Sequence, residues 1–279
     1  MSILKRPPLR YHGGKWRIAH IILEYFPPHT TYVEPFGGGA SVLLRKRRSK
    51  NEIYNDLDSD IVNVFKVLRD PIQSKELLKL LELTPFSREE MVIGWQDTNC
   101  PIEQARRCLV RSHMGFGSAG ATKGRTGFRG VDCYENSYSA PAKQWNELPI
   151  HLSAIIQRLK GVVLENTDAL KLIEQTNIES TLLYIDPPYI PSTRSSMKNG
   201  MQYYRHEMTE EDHVQLLEKI INVKSQVIIS GYKTSLYMDM LHDWKFITFK
   251  ARASSKKGTV IRDECLWIKP TNKNNNLFF

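Results

Sequence analysis

Residues 182–189 read Leu-Leu-Tyr-Ile-Asp-Pro-Pro-Tyr, and the rest of the chain can be read as serving the last four of them. Ser180 to Ile185 has the makings of a short buried strand: four of its last five residues are large, apolar or aromatic, and two prolines then stop it. Asp186 is thereby expected at the C-terminal end of a strand, where open α/β sheets hold their ligands. Pro187 and Pro188 have no N–H and a fixed φ, so the carbonyls of Asp186 and Pro187 are stiffly held and able to accept hydrogen bonds. Tyr189 adds a flat ring beside them. An acceptor-rich, rigid, ring-bearing pocket suits a planar substrate with an exocyclic amino group. A strand, a polyproline turn and a surface tyrosine would carry the same letters, so the flanking sequence has to decide.

The chain has 279 residues, ample for one large core or a core with an inserted domain. With 41% hydrophobic and 25% charged residues, its composition is that of a soluble globular protein. No run approaches the apolar length of a membrane helix, and Met1 to Arg10 is too polar and proline-rich for a signal peptide. An intracellular protein is expected. The net charge of +9 points to a polyanionic partner. Cys100, Cys108, Cys133 and Cys265 form no Cys-x-x-Cys pair and have no histidine at ligand spacing, so neither a zinc site nor a disulfide framework is expected. There is no internal repeat.

Upstream, Arg10 to Lys15 (Arg-Tyr-His-Gly-Gly-Lys) is a glycine turn leading into a helix expected over Trp16 to Tyr25, with Ile18, Ile21, Ile22 and Tyr25 on one face. Thr31 to Glu34 reads as a strand, followed by Pro35-Phe36-Gly37-Gly38-Gly39-Ala40 and a helix through Ser41 to Leu44. Strand, glycine loop, helix lets backbone come close to a nucleotide-like ligand. The loop lacks both the Gly-x-Gly-x-x-Gly spacing and a Gly-Lys-Ser/Thr element, which disfavours NAD and ATP. Glu34 could receive a ligand's ammonium group. Glu52 to Asn55 reads as the next strand, and Asp56 at its tip is placed to hold ribose hydroxyls. Asp58 or Ser59 is an N-cap for a helix carrying Ile61, Val64, Phe65 and Leu68.

Between Arg69 and Pro149 the texture changes. Helices are expected over 72–83, 87–95 and 102–113, then a glycine-, serine- and asparagine-rich loop or hairpin over 114–138. No acid occurs between Gln104 and Val131, while Arg106, Arg107, Arg111, Lys123, Arg125 and Arg129 all do, interleaved with Phe116 and Phe128. Such a segment suits phosphate and base contacts, though any one arginine can equally sit on a solvated loop. After Pro149 the α/β pattern resumes: helix 151–159, strand 162–165, helix 168–174, then the strand into Asp186. Asp168 could touch a cofactor or simply cap its helix. Ile190 to His206 holds Arg194, Lys198 and Arg205 without an acid, and reads as a binding loop or lid. Thr209-Glu210-Glu211-Asp212 signals another helix start. Strands are expected at 226–230, 245–250 and 264–269 and a helix at 234–241, with Lys256 and Lys257 at a basic hairpin tip and a frayed tail from Thr271.

The order of these fragments resembles the DNA adenine-N6 methyltransferases in which a target-recognition region lies between the cofactor half and the Asp-Pro-Pro-Tyr half, the group of the bacterial DNA adenine methylase and many phage enzymes. The likeness spans about Arg10 to Pro270 and is strongest at Arg10–Lys15, Tyr32–Ala40, Tyr54–Asp60, Leu183–Tyr189 and Arg262–Pro270. It implies an α/β, Rossmann-like mixed sheet with helices on both faces. Residues 1–68 and 150–279 would form the catalytic domain, and 69–149 an inserted, mainly helical recognition domain. It implies S-adenosylmethionine as cofactor and no metal. Tyr11, Lys15, Glu34, Phe36, Gly37, Gly39, Asp56 and Asp168 are then the cofactor contacts, with Lys15 near the methionine carboxylate and Asp168 at the adenine. Relatives often carry a larger residue between the loop glycines, so this loop's shape departs from theirs. Double-stranded DNA is the implied partner, held by Arg111, Lys123, Arg125, Arg129, Arg194, Lys256 and Lys257. A monomer or weak dimer on DNA is expected, in the cytoplasm of a bacterial cell or phage-infected host.

The chemistry follows from Asp186, Pro187, Pro188 and Tyr189. Adenine N6 is a poor nucleophile because its lone pair is delocalised. Acceptors from the Asp186 side chain and the Pro187 carbonyl would hold both hydrogens and favour a pyramidal nitrogen aimed at the sulfonium methyl. The base must leave the duplex first, at a cost on the order of a few kcal/mol, and stacking on Tyr189 offsets part of it. The alternatives are a cytosine-N4 methyltransferase, which usually has Ser where Asp186 stands, and a catalytically silent DNA-binding relative. Ribosomal RNA and protein-glutamine methyltransferases more often have Asn there.

Overall fold

The computed structural model describes residues 4–117, 119–121, 126–130, 141–190, 204–255 and 258–270. After the turn at Gly13-Gly14 come α1 (Ala19–Leu23), β1 (Thr31–Glu34), α2 (Ser41–Arg45), β2 (Asn51–Asn55) and α3 (Ser59–Arg69). Next are α4 (Gln73–Leu83), α5 (Arg88–Ile93), α6 (Pro101–Met114) and α7 (Pro141–Asn146), with a 3-10 turn at Ala119–Ala121. Alternation then resumes with α8 (Leu148–Leu159), β3 (Val162–Glu165), α9 (Ala169–Gln175), β4 (Thr181–Ile185), α10 (Glu210–Asn222), β5 (Gln226–Gly231) and α11 (Ser235–Met240). The hairpin β6 (Lys245–Ser255) and β7 (Gly258–Ile268) closes the described chain.

Seven strands form one mixed sheet in the order β3-β2-β1-β4-β5-β7-β6. β1 lies between β2 and β4 and runs parallel to both, whereas β7 is antiparallel to β5 and β6. Connections therefore diverge to either side of β1, and a crevice opens beyond the carboxyl ends of β1 and β4. Strand alternation feeds two apolar clusters. Tyr32, Leu182, Tyr184, Ile228 and Leu266 belong to the first, with α1, α2, α3 and α8. Val33, Leu183, Ile185, Val227, Ile229 and Trp267 belong to the second, with α9, α10 and α11. Helices cover both faces, as the period-2 pattern requires of a sheet buried on both sides.

The caps are those the sequence signals. Asp58 accepts from the Asp60 N–H at the start of α3, and Thr209 and Asp212 form a reciprocal capping box on α10. Leu77, Leu81, Met91, Ala105, Leu109 and Trp145, all from the 69–149 region, lie in the same cluster as Tyr32, Tyr54 and Phe65. That region extends the core on one face of the sheet, with α6 along α3 and α4 against α8. No helix among the described residues is long and apolar enough to cross a membrane.

Three elements differ from expectation. The first helix covers Ala19–Leu23 alone, because Trp16 turns away to donate its indole N–H to the Lys5 carbonyl at 3.0 Å. α7 was not expected; Trp145 anchors it by burying its ring and donating to the Thr84 carbonyl at 2.8 Å. The last hairpin pairs without a break from Lys245↔Ile268 to Ser255↔Gly258, so both strands run further toward the tip than the expected ones. Thr259, Val260 and Ile261 are β-branched, which suits a continued ladder.

Candidate active site

The glycine loop is moulded against the end of β2. A Cβ on Gly37 would overlap the Tyr54 ring and lie 2.9 Å from the Asn55 carbonyl oxygen. Gly38 has φ +48°, and a Cβ there would lie 2.7 Å from the Tyr11 ring, so both positions require glycine. Ala40 also adopts the left-handed region, at φ 54°. Asp56 clasps the loop: its carboxylate accepts the Gly38 N–H at 2.7 Å and the Asp58 N–H at 2.8 Å. Burial pushes the Asp56 pKa up to about 6, against the pull of those N–H groups. Asn55 ties in the turn before α9, donating to the Pro35 carbonyl at 2.8 Å and accepting the Thr167 N–H at 2.9 Å.

Glu34, at the end of β1, is buried at 2% exposure. One of its oxygens accepts the Tyr32 hydroxyl at 2.6 Å and the Leu43 N–H at 2.7 Å. Burial nevertheless pushes its pKa up to about 7, and the charge of Asp186 adds to the rise.

On the neighbouring strand, Asp186 Oδ1 pairs with Lys15 Nζ at 2.8 Å and accepts the Ser230 hydroxyl at 2.8 Å. Lys15 also donates to the Gly13 carbonyl at 2.8 Å, lies 3.5 Å from Glu264 Oε1, and sits 4.7 Å over the centre of the Tyr189 ring. Burial works to lower its pKa, but the charges of Asp186 and Glu264 outweigh it and keep the ammonium protonated. Tyr189 donates its hydroxyl to Glu264 and meets Tyr232 edge-on at 4.6 Å between ring centres. The Pro188 carbonyl is hydrogen-bonded to His213 Nε2 at 3.0 Å, whose Nδ1 is bonded to the Tyr237 hydroxyl at 2.9 Å.

Between these two halves lies a cavity of about 280 Å³. Every residue expected at the cofactor lines it: Tyr11, Lys15, Glu34, Phe36, Gly37, Gly39, Asp56 and Asp168. Asp186 and Pro188 line it as well, whereas Pro187 and Tyr189 are not among its lining residues. Asp168 is also an N-cap, accepting the Lys171 N–H at 3.0 Å. Tyr204 and Arg205 close one side of the cavity. Arg205 reaches Asp58 at 2.9 Å and Asp60 at 2.7 Å.

The basic residues divide differently from expectation. Arg111, expected at a phosphate, is buried at 8% exposure. Its guanidinium donates to the Gly94 carbonyl at 2.6 Å, pairs with Asp60 at 3.1 Å and lies over the Trp95 ring, so it serves the fold rather than a DNA surface. Arg106 and Arg107 likewise pair with Glu103, and Arg106 with Glu90. Arg129 is half-buried and donates to Gln144 at 3.3 Å. Its charge, with burial as the larger cause, pulls the Arg10 pKa down to about 10, and Arg10 Nη1 is buried without a hydrogen-bond partner. Lys123, Arg125, Arg194, Lys256 and Lys257 lie outside the described residues, as does the expected frayed tail.

A family model described as D12 class N6 adenine-specific DNA methyltransferase matches residues 11–255. The chain belongs to that family. It is an adenine-specific DNA methyltransferase, and DNA is its substrate. It is 23% identical to the type II methyltransferase M1.LlaDCHI of Lactococcus lactis subsp. cremoris over 97% of this chain and 96% of that one. The DNA adenine methylase of Haemophilus influenzae is 22% identical, with 89% and 87% covered, and that of Escherichia coli K12 is 24% identical, with 88% and 87% covered.

As a methyltransferase the protein uses S-adenosylmethionine, and the cavity fits such a ligand. Ser41 Oγ and Asp58 Oδ2 are buried on its wall with no hydrogen-bond partner, and Glu34 offers a carboxylate to a cation. Among the described residues no group of three or more His, Cys, Asp or Glu side chains could hold a metal ion. Sequence reasoning missed Glu264, Ser230 and His213 as neighbours of the methyltransferase's Asp-Pro-Pro-Tyr motif. One signal was present: Glu264 stands in line with the apolar positions Leu266 and Ile268 on β7, where an unpaired acid would be costly.

Proposed function

We propose that the adenine acted on is extruded from the duplex and gripped by Asp186 and the Pro187 carbonyl, with its ring on Tyr189. The observation that carries this reading is the division of labour around Asp186. Oδ1 is taken by Lys15 and Ser230, and the Pro188 carbonyl by His213, which leaves Oδ2 and the Pro187 carbonyl for the two N6 hydrogens. Gripping both hydrogens aligns the nitrogen lone pair with the methyl group and stabilises the charge that develops on it. S-adenosylmethionine supplies an electrophilic methyl group on a sulfonium. Asp186 or water would take the proton that N6 loses on gaining the methyl group, the sulfonium becoming a neutral thioether. Glu34 receives the ammonium of the methionine moiety and Asp56 the ribose hydroxyls, with Ser41 and Asp58 adding the polar contacts they lack in the free protein.

The 69–149 region reads the target, and Arg129 beside Arg10 holds a phosphate at its boundary with the catalytic part. The test is incubation with duplex DNA and labelled S-adenosylmethionine, followed by nucleoside analysis and mapping of the modified positions. N6-methyladenine at defined sites is expected. Asp186→Ala is expected to slow transfer by at least about a hundredfold, with DNA affinity changed by no more than a few-fold. Methylated cytosine in place of adenine, or loss of DNA binding with transfer retained, would reject the assignment.

A further inference from the structure

A lysine beside the substrate-gripping carboxylate presents a problem for the reading above. Lys15 Nζ is 2.8 Å from Asp186 Oδ1 and buried at 5% exposure, so on its own it would neutralise the charge meant for the amine. A second carboxylate stands on its other side. Glu264 Oε1 is 3.5 Å from the same ammonium and is itself 6% exposed. It comes from β7, the strand antiparallel to β5, whereas Asp186 follows β4. The same oxygen accepts the hydroxyl of Tyr189, and the Lys15 ammonium sits over that ring. Ammonium, two carboxylates and phenol thus form one cluster of one positive and two negative charges, in which Lys15 and Glu264 are buried and Asp186 and Tyr189 partly exposed. Burial raises the Glu264 pKa, and the pull of Lys15 opposes it.

We propose that Glu264 is a positioning residue for methyl transfer: it shares the charge of Lys15, leaving Asp186 a net acceptor, and it anchors the Tyr189 ring by its hydroxyl. Two functions meet in one oxygen. Coulomb attraction in a site this dry is far stronger than in water, so the second carboxylate changes how much of Asp186 the lysine consumes. The phenol bond, together with the edge-on contact to Tyr232, sets the plane of the ring before a base arrives. Because β7 also carries Arg262, whose Nη1 donates to the Tyr232 hydroxyl at 3.1 Å, the hairpin holds the stacking platform from two sides.

The proposal deepens the reading in which Asp186 receives the amine, and the experiment separates the two. Single-turnover transfer is measured on duplex DNA carrying one target adenine, alongside DNA affinity, cofactor affinity and the melting temperature. The fluorescence of 2-aminopurine at the target position reports base stacking. Glu264→Gln keeps an acceptor for Tyr189 but removes the charge; a transfer rate at least tenfold lower is expected, with both affinities within threefold of the parent. Tyr189→Phe keeps the ring and frees it from Glu264; 2-aminopurine fluorescence is expected to rise. Glu264→Asp retains the charge and is expected to recover part of the rate lost in the glutamine variant.

Glu264→Gln with parental turnover, or an aspartate variant no faster than the glutamine one, overturns the proposal. So does an activity loss in both Glu264 variants that only follows a lowered melting temperature. Asp186→Ala with transfer retained rejects the underlying reading instead. Asp186→Ala inactive with Glu264→Gln unimpaired rejects the role of Glu264 alone.

Discussion

Glu34 shows how one buried carboxylate links folding to cofactor binding. Its pKa is pushed up to about 7 because burial penalises the charge more than the Tyr32 and Leu43 hydrogen bonds favour it. A carboxyl raised above its unfolded value favours the folded state while protonated. Its contribution is therefore present at low pH and lost as pH rises through about 7. A cationic ligand reverses the preference, since it binds the ionised form and expels the proton. Cofactor affinity is expected to rise with pH by up to about tenfold per unit between pH 5.5 and 7 and then to level off. Titration calorimetry at pH 6 in two buffers of different ionisation enthalpy is expected to show proton release. Glu34→Gln is expected to remove that release and flatten the profile; a parental protein whose affinity ignores pH over this range would remove the ammonium contact. Asp56, raised to about 6, adds a weaker dependence below that pH. Glu34 could be picked out in the sequence because a strand and a glycine loop frame it. Glu264 could not, because its partners Lys15 and Tyr189 come from distant parts of the chain. The Arg111–Asp60 pair was hidden for the same reason: the local sequence holds no acid, and Asp60 arrives from α3.

At the scale of elements, the loop between β1 and α2 depends on where its glycines stand. A Cβ at Gly37 meets the Tyr54 ring and the Asn55 backbone, neither of which can yield without moving β2. At Gly39 the nearest atom is the Tyr11 Cβ at 3.3 Å, a contact that a shift of a few tenths of an ångström relieves. Gly37→Ala is expected to destabilise the fold by about 1–3 kcal/mol and to weaken the cofactor at least tenfold, whereas Gly39→Ala leaves both nearly intact. Thermal melting with and without S-adenosylmethionine checks the contrast, and equal effects would mean that the loop is not seated on β2 as described. The parallel strands and their helices were legible because periodicity, caps and prolines agree at each of them, as at α3 and α10. Less legible were elements defined by tertiary contact alone. α7 forms around one buried tryptophan, and the first helix gives up its start to an indole hydrogen bond. The outer hairpin extends by strand pairing, which no local signal records.

Across the whole molecule, the +9 charge has to be divided between groups that hold the fold together and groups that meet DNA. The 69–149 region changes texture in the sequence, but its helices share the apolar cluster of the sheet; Arg106 and Arg107 are spent on acids of the region itself and Arg111 on Asp60 of α3. Composition cannot separate the two groups, but salt can. Each phosphate neutralised by a protein cation contributes about −0.9 to the slope of log affinity against log salt. Arg129→Ala is expected to weaken binding at low salt and to make that slope shallower by about one, with little change in melting temperature. Arg111→Ala is expected to leave the slope unchanged. It strips Asp60 of one of its two arginine partners and leaves the Gly94 carbonyl without its donor, so it is expected to cost about 2 kcal/mol or more of stability. Binding isotherms at four or more salt concentrations, paired with melting curves, distinguish the outcomes. A shallower slope for Arg111→Ala with parental stability would return that arginine to the DNA surface and undo the internal role assigned to it.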